Sequence, residues 1–421
     1  MNPELRSKAN FQNLSLMDYI LKRIKTIENT TGLKRTIFAV CPNSLSVLRC
    51  ALNAAKRNNA PVKFAATLNQ VDTDGGYTGL TQKEFVDTIR IEARKINLQS
   101  PVIVAVDHGG PWLKDKQKTE NWNLGQCMDW IKKSFEASIS AGYDLIHVDP
   151  TVDISISKGD TIKIETVVER TVELISHCEE FRKKGNFPKI AYEVGTEEVH
   201  GGLADMQVFT RFLDLLKSGL QKEGLTDVWP CFVVGKVGTD LHTNTFDPEM
   251  AKLLTKTVES YGSVIKGHYS DNVSNPQEYP LSGMGAANIG PEFTEKEYEA
   301  LCELELIEQN LFIENKIARK SEIKKKLWNG VINSGRWKKW LFKDENSDNF
   351  FSLTTDRQEW LIKTGCRYIW ENPEILASRS KLFYNLGNCG INAQKILEIT
   401  IEKNMDKYFN QFNLVNLNDF L

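Results

Sequence analysis

Residues 101–112 read PVIVAVDHGGPW, and this stretch decides the fold. The run from Val102 to Val106 is apolar without any polar alternation, which is typical of a strand buried on both faces of a parallel sheet. It stops at Asp107 and His108 and then breaks into a Gly-Gly-Pro turn. In α/β proteins functional side chains collect at the carboxyl ends of strands, because the strand is rigid and the following loop shapes a pocket.

Seven further apolar segments have the same character and alternate mostly with helical patterns. They are predicted strands at residues 36–43, 62–70, 145–151, 189–195, 228–235, 263–267 and 287–290. Eight strands separated by helices over about 250 residues match the size of a (β/α)8 barrel. The alternative is a doubly wound open sheet, which would need a glycine-rich turn after its first strand. The segment CPNSLS at 41–46 is not such a turn, so the sequence favours an α/β fold of the TIM barrel type.

The strand pattern ends near Pro291, and helical periodicity continues to the C-terminus. We therefore expect two parts, a barrel with an N-terminal helix at residues 1–315 and a C-terminal helical extension at residues 316–421. Residues 295–326 are predicted to be one long helical stretch. Tryptophans of the extension could form a stacking platform, but at helical spacing they are more often packing or interface residues. They are Trp328, Trp337, Trp340, Trp360 and Trp370.

The composition excludes several classes of function. The 421 residues carry a net charge of −2, and no charge excess points to nucleic acid or a membrane surface as a partner. No run of about 18 uncharged apolar residues occurs, and the N-terminus lacks the apolar core of a signal peptide, so we expect a cytoplasmic protein. The eight cysteines include no C-x-x-C pair, which favours buried thiols over a zinc ribbon or a redox pair.

The six histidines are distributed unevenly, because only His177 lies within a predicted helix. The other five lie at or just beyond predicted strand ends: His108, His147, His200, His242 and His268. In a barrel these ends face one mouth, so imidazoles from different strands could converge on one ion, as in catalytic zinc sites with three ligands and an open position. For any single histidine a ring hydrogen-bonded to a carbonyl is the better interpretation, but the set favours a metal.

Carboxylates at the same strand ends could be further ligands, could orient the histidines or could act as acids and bases. They are Asp107, Asp149, Glu193, Glu197, Glu198, Asp240 and Asp271. Some could equally be surface charges, and Asp107 is the strongest candidate because it directly ends a buried strand. The loops after the seventh and eighth strands are where barrels often bind phosphate, although Ser- and Asn-rich loops are common elsewhere.

Several segments resemble the Z-type subunit of class II D-tagatose-1,6-bisphosphate aldolase, a relative of the zinc-dependent ketose-bisphosphate aldolases. They are NQVDTDGGYTGLT (69–81), DHGGP (107–111), IHVDPT (146–151), EVGTEEVHGG (193–202), GTDLHTN (238–244), GHYSD (267–271) and NIGPEFT (288–294). The resemblance covers nearly the whole chain and implies a TIM barrel, carbohydrate metabolism, and a sugar or sugar phosphate as ligand. Z-type subunits are generally regarded as non-catalytic, which implies a catalytic aldolase subunit as a partner. We also expect a homo-oligomer.

The resemblance to the catalytic class II aldolases implies roles for particular residues. Asp107 would be the acid/base, and His108, His200 and His268 would bind Zn²⁺ or another divalent metal. Glu197 is the second candidate catalytic residue. The candidate substrate-binding residues are Asn69, Gln70, Asp149, Glu193, His242, Ser270, Asp271 and Asn288.

Two departures from the family patterns bear on the substrate and on activity. His200 stands where many Z-type subunits have a GTEVP-type segment, which is a departure toward the catalytic pattern. Residues 269–271, Tyr-Ser-Asp, stand where catalytic aldolases have a Gly-Ala-Ser-Gly type phosphate loop. The Asp271 carboxylate would repel a phosphate by about 1 kcal/mol or more, so we expect a neutral or singly charged ketose rather than a bisphosphate.

Three hypotheses for function follow. The first is a metal-dependent enzyme in which an ion polarises the C2 carbonyl of a ketose or ketose phosphate while a carboxylate removes a hydroxyl proton and the C3–C4 bond breaks. Release of the aldehyde is aldol cleavage, and its re-addition on the other face is C4 epimerisation. The second is a non-catalytic accessory subunit that stabilises a separate aldolase. The third is a regulator that binds a ketose without turnover.

Overall fold

The eight predicted strands form a closed parallel barrel. The computed structural model describes residues 3–156, 161–196 and 203–421. Neighbouring strands pair in chain order, and the first strand pairs with the eighth, which confirms the TIM barrel. The strands are β1 (Ile37–Val40), β2 (Val62–Thr67), β3 (Val102–Gly109), β4 (Leu145–Val148), β5 (Ala191–Gly195), β6 (Phe232–Val234), β7 (Val264–Gly267) and β8 (Ala286–Ile289).

Strand β3 is longer than the sequence indicated. Its apolar residues from Val102 to Val106 are all buried, as expected for a strand covered by helices. Asp107 and His108 lie at its carboxyl end, as the sequence indicated, but the strand continues to Gly109, which the sequence placed in the turn after it. It does so because Gly109 still pairs with β4, after an irregularity in the register that begins at Val106.

Helices precede the barrel and cover its outside. They are α1 (Pro3–Phe11), α2 (Leu16–Thr31), α3 (Leu45–Arg57), α4 (Gln82–Lys95), α5 (Asp115–Thr119), α6 (Leu124–Ala141), α7 (Ile164–Lys184), α8 (Met206–Lys222), α9 (Pro248–Tyr261), α10 (Glu278–Leu281) and α11 (Pro291–Ile313). Local sequence signals start several of them. Thr81 and Glu84, for example, form a reciprocal capping box at the start of α4. Across the described ranges, every helix is too short or too polar to cross a bilayer.

The C-terminal extension is also helical. It contains α12 (Ile323–Ser334), α13 (Thr355–Gly365), α14 (Pro373–Asn388) and α15 (Ala393–Gln411). The single helical stretch expected at 295–326 is instead two helices, α11 and α12. The carboxylate of Glu308 accepts hydrogen bonds from the amide and the hydroxyl of Ser321, at 3.0 and 2.6 Å, and these bonds hold the connecting segment against α11. The expected boundary between residues 315 and 316 lies in this connection.

Polar contacts attach the extension to the barrel. Arg57 of α3 pairs with Glu402 and Asp406 of α15, and Arg379 of α14 pairs with Glu297 of α11 at 2.8 Å. Aromatic rings add to the contact, since Phe38 of β1 stacks on Tyr408 with ring centroids 5.5 Å apart. The extension is therefore packed against the barrel rather than suspended from it.

Candidate active site

A cavity of about 760 Å³ lies at the carboxyl ends of the barrel strands. Asp107 and His108 of β3, His268 directly after β7 and Asn288 of β8 line its floor. Its size is that of pockets that bind small molecules, which run from about 300 to 1,000 Å³. The cavity thus lies where TIM barrel enzymes carry their active sites.

The backbone of β3 is distorted so that His108 points into this site. His108 has a φ of +47°, a left-handed conformation that is uncommon for a residue with a side chain. It lies within the register irregularity against β4, and such bulges re-aim side chains. Gly110 allows the segment that follows β4 to approach closely, because a Cβ at Gly110 would lie 1.8 Å from the carbonyl oxygen of Asp149. The Gly-Gly pair after His108 is therefore needed to hold β3 against the end of β4.

Three histidines from different strands meet at the cavity floor. The ring centroids of His108 and His268 are 4.5 Å apart, and the ring of His147 of β4 lies 5.0 Å from the first and 5.2 Å from the second. Each offers a nitrogen within 4.8 Å of the others, which is close enough for a shared metal ion. Asp107 and Glu193 lie in an overlapping group with His147 and His268. These side chains could bind a metal.

The hydrogen-bond partners of His108 and His268 leave one ring nitrogen of each open. Nδ1 of His108 lies 2.5 Å from the carboxylate of Asp149, and Nε2 of His268 lies 3.0 Å from the carboxylate of Glu193. A carboxylate accepts a hydrogen bond, so the proton of each neutral ring lies on the bonded nitrogen and the other nitrogen carries a lone pair. Nδ1 of His268 is indeed buried with no partner among the described residues. This is the carboxylate–histidine arrangement that orients metal ligands.

His147 differs from these two histidines. Its Nδ1 accepts a hydrogen bond of 3.1 Å from the backbone amide of His108, so the proton of the neutral ring lies on Nε2. That nitrogen is also buried without a partner in the described ranges. His147 can bind a metal through Nε2 only in its other tautomer, with Nδ1–H directed at Glu193 Oε1, 3.4 Å away. His108 and His268 are the better prepared ligands.

Glu193 is the centre of a buried ion-pair network below the histidines. Its carboxylate pairs with Lys63 of β2 at 3.1 Å and with Lys266 of β7, and all three side chains are at most 1% exposed. The two ammonium groups lower the pKa of Glu193 despite its burial, which acts in the opposite direction. Burial lowers the pKa of Lys63 to about 8, whereas the carboxylates of Glu193 and Asp107 outweigh burial at Lys266 and raise its pKa. Glu193 is thus already neutralised by lysines and serves to orient His268.

Asp107 is a carboxylate beside the histidines that forms no ion pair with a lysine or arginine of the described residues. Its Oδ1 accepts a hydrogen bond of 2.9 Å from Nδ2 of Asn288 and lies 3.7 Å from Nε2 of His268. Burial would raise its pKa, but the neighbouring rings of His108 and His268 outweigh burial and hold the pKa well below its usual range. Asp107 is therefore ionised at neutral pH and can accept a proton from a bound molecule.

The two histidines that face the cavity have opposite electrostatic surroundings. Burial lowers the pKa of His108, but Asp107 and Asp149 outweigh it and raise the pKa to about 9. Burial and the positive charge of Lys266 lower the pKa of His268 to about 3. His268 is therefore neutral at physiological pH, as a metal ligand must be, whereas His108 has to lose a proton when it binds a metal.

The eight residues expected to bind substrate divide into two groups. Those that line the cavity are Asn69, Gln70, His242, Asp271 and Asn288. The other three are buried behind it, where Asp149 and Glu193 orient histidines and Ser270 accepts a hydrogen bond of 2.9 Å from Tyr279. The catalytic candidate Glu197 and the ligand candidate His200 lie outside the described residues.

Several of the lining residues already have protein partners. Asn69 braces the loop after β3 by donating to the carbonyl of Leu113 and accepting from the amide of Asp115, both at 2.9 Å. Gln70 donates to Pro42 and accepts from Thr67, each at 3.0 Å. Asn288 is different, because its Oδ1 is buried with no partner among the described residues.

Sequence reasoning missed two parts of the site. It assigned no role to Lys63 and Lys266, although a single lysine inside an otherwise apolar strand, as in VKFAAT and VIKG, signals a buried charge that needs a partner. It also treated the extension as packing. Cationic and aromatic side chains of the extension line the cavity, namely Arg336, Lys339, Trp340, Phe342, Lys343, Arg367 and Tyr368.

Comparison with known families shows to which family the chain belongs. A family model described as D-tagatose-1,6-bisphosphate aldolase subunit GatZ/KbaZ-like matches residues 21–413. The chain belongs to this family. The resemblance found in the sequence motifs is thereby confirmed, and the GatZ/KbaZ-like match extends from within α2 to just beyond α15.

Solved structures share the fold of this GatZ/KbaZ-like chain. The crystal structure of a probable tagatose 6 phosphate kinase from Sinorhizobium meliloti 1021 is 20% identical, with a TM-score of 0.74 over 90% of this chain and 100% of the other. Fructose-bisphosphate aldolase from Campylobacter jejuni is 12% identical, with a TM-score of 0.51 over 94% of each chain. At these identities the likeness is one of fold.

Proposed function

We propose that this GatZ/KbaZ-like chain is a metal-dependent enzyme that breaks, and can remake, the C3–C4 bond of a ketose or ketose phosphate. The observation that carries the proposal is the convergence of His108 and His268, each with one nitrogen held by a carboxylate and the other left open, beside the ionised Asp107. Such a set fits a divalent cation, and nitrogen donors favour zinc.

The ligands we propose are His108 and His268, with His200 as the third. A divalent ion held there would supply a Lewis acid for the ketose carbonyl. Asp149 and Glu193 keep the two described rings in the tautomers that binding requires. Lys63 and Lys266 keep Glu193 ionised, so that it continues to accept the Nε2 proton of His268.

Asp107 is the proposed proton acceptor. It would take the proton of the C4 hydroxyl while the C4–O bond becomes a carbonyl and the C3–C4 bond breaks, and the electron pair of that bond moves toward the C2 oxygen. Protonation of C3 would complete cleavage. Re-addition of C3 to the other face of the aldehyde, with return of the proton from Asp107, would give the C4 epimer. The Oδ1 of Asn288, which is buried with no partner among the described residues, would accept a hydrogen bond from a sugar hydroxyl.

The alternative is an accessory subunit that stabilises a catalytic class II aldolase. The description of the family as an aldolase subunit favours it. In this case the cavity would hold no reacting sugar, and the catalytic residues would belong to the partner. Glu197 is a second candidate catalytic residue only if the chain is an enzyme.

One experiment separates the two proposals. The purified chain, alone, is incubated with a panel of ketoses and ketose phosphates and with Zn²⁺, Mn²⁺ or Co²⁺, and NMR spectroscopy identifies C4 epimers and aldehyde products. Turnover by wild-type protein that is lost in Asp107→Asn supports the enzyme. If the chain is inactive by itself and increases the activity of an added aldolase subunit, the enzymatic proposal is refuted in favour of the accessory role.

A further inference from the structure

The extension gives the cavity a positively charged wall. Four of its cationic residues, Arg336, Lys339, Lys343 and Arg367, line the same cavity as His108, and no acidic residue of the extension's described chain does. Lys118, at the end of α5, adds a fifth cation. Among the described residues, the only carboxylate that pairs with Arg336 and Lys339 is Asp115, whose charge also acts on Lys118. The wall therefore carries excess positive charge.

Arg367 has a hydrogen-bond donor that none of the described residues uses. It is 5% exposed and lines the cavity, yet its Nη1 has no partner among the described residues. Its guanidinium carbon lies 4.8 Å from the ring centroids of Trp340 and Tyr368, and that of Arg336 lies 4.1 Å from the Tyr368 ring. Stacking on aromatic faces fixes a guanidinium while leaving its N–H edge free for an oxyanion.

The place where TIM barrels commonly bind phosphate is already filled in this chain. At the start of α11, Oδ1 of Asp271 accepts hydrogen bonds of 2.9 Å from the backbone amides of Gly290 and Glu292. These amides, after β8 and at a helix N-terminus, are the donors that a phosphate would use. A resident carboxylate on them directs an anion to another part of the cavity.

We propose that Arg336, Lys339 and Arg367 of the extension, with Lys118 of the barrel, form a subsite for the phosphate group of a ketose monophosphate. The sugar part of this ligand rests on the proposed function, because the subsite shares its cavity with Asp107 and the histidines. A ketohexose 6-phosphate would place its carbonyl end at the histidines and its phosphate at the wall. One phosphate fits and a second does not, since Asp271 occupies the other position.

The test measures binding without turnover. Metal-stripped, full-length protein is titrated calorimetrically with fructose 6-phosphate, fructose and inorganic phosphate. The variant Lys339→Met removes a cation of the wall. Lys338→Met is the matched control, because Lys338 is exposed and does not line the cavity. Arg336→Met is a second variant that avoids substitution of the buried Arg367.

We expect fructose 6-phosphate to bind more tightly than fructose. Lys339→Met and Arg336→Met should each weaken it about tenfold, as expected for loss of a charged hydrogen bond, while Lys338→Met stays within about twofold of wild type. Added salt should weaken binding as well. Equal affinity for fructose and its phosphate, or equal loss in Lys338→Met and Lys339→Met, would overturn the subsite. Binding of inorganic phosphate that neither Lys339→Met nor Arg336→Met weakens would also overturn it, because the phosphate would then be an adventitious ion only.

The result is independent of the proposed reaction. Selective phosphate binding by metal-free protein that shows no turnover with any metal would support the subsite and refute the enzyme. Turnover of unphosphorylated ketoses that is unaffected by Lys339→Met would support the enzyme and refute the subsite.

Discussion

Nδ2 of Asn288 donates a hydrogen bond of 2.9 Å to Oδ1 of Asp107. The two residues come from β8 and β3 and are 4% and 5% exposed at the cavity floor. The bond holds the Asp107 carboxylate at a fixed position beside His268. It also directs the carbonyl oxygen of Asn288 away from Asp107, where it can accept a hydrogen bond from a ligand. Asn288 is therefore a positioning residue for the proposed proton acceptor.

Asn288→Ala should lower kcat by about 10²-fold, because a carboxylate displaced by about an ångström no longer reaches the substrate hydroxyl. The change should appear in kcat more than in KM, as measured by steady-state kinetics on the ketose identified in the panel. Asn346→Ala, in an exposed loop of the extension, is the control and should leave both constants unchanged. Wild-type kcat in Asn288→Ala would show that Asp107 needs no such support.

Asp107→Asn should reduce kcat by about 10² to 10⁴-fold, since an amide of the same shape cannot accept the proton. Metal content should remain that of wild type, because His108 and His268 rather than Asp107 are the proposed ligands. Kinetics and elemental analysis of the same preparation test both statements. Asp87→Asn, at a partly exposed carboxylate on α4 far from the site in sequence, serves as the control. An active Asp107→Asn would assign proton transfer to another group.

The barrel could be predicted because its strands are short apolar runs that alternate with helical patterns, and both can be recognised from neighbouring residues alone. The position of Asp107 and His108 followed from the abrupt end of one such run, and the clustering of histidines at strand ends followed from the topology. His147 was located at its strand end, but the resemblance to aldolases directed the ligand role to His200. Which ring nitrogen is open depends on Asp149 and Glu193, and no local pattern reveals that.

The contribution of the extension could not be predicted. Arg336 and Arg367 are 31 positions apart and come together on Tyr368 because α13, which lies between them, packs against α11. Helical periodicity indicates that these segments have an apolar face, but it does not say which part of the barrel that face covers. Tertiary packing between residues far apart in the sequence decides which cations line the cavity.

Glu193→Gln should destabilise the protein by about 3–5 kcal/mol, because it leaves two buried ammonium groups without their carboxylate. Urea unfolding followed by circular dichroism measures the loss. Glu259→Gln removes the exposed partner of Lys25 and should cost less than about 0.5 kcal/mol. Adding Lys63→Met to Glu193→Gln should recover part of the loss. Equal stability of the two single variants would mean that the buried network contributes no more than a surface pair.

Asp271 should make stability depend on pH. Burial and the nearby Glu292 raise the pKa of Asp271 to about 7, above the value of about 3.9 for an unfolded chain. The folded state therefore binds this proton more tightly, so the stabilisation is fully present below about pH 4 and is lost as the pH rises through about 7.

Asp271→Asn should remove this dependence, because an Asn Oδ1 can accept the same two backbone hydrogen bonds without becoming charged. Between pH 4 and pH 8 the unfolding free energy of wild type should fall relative to that of Asp271→Asn by about 4 kcal/mol. Urea unfolding at several pH values measures the difference. Parallel curves for the two proteins would show that the carboxyl is not held protonated by its surroundings.

The most direct test of the central claim is metal binding by the histidine cluster. Wild-type protein and the variants His268→Ala and His177→Ala are stripped of metal, loaded with Zn²⁺, desalted and analysed by elemental mass spectrometry. His177 pairs with Glu136 on the outside of the barrel and is the matched control. We predict about one zinc per chain in wild type and in His177→Ala and a large loss in a folded His268→Ala. Equal zinc content in the three proteins, or none in wild type, would contradict the account.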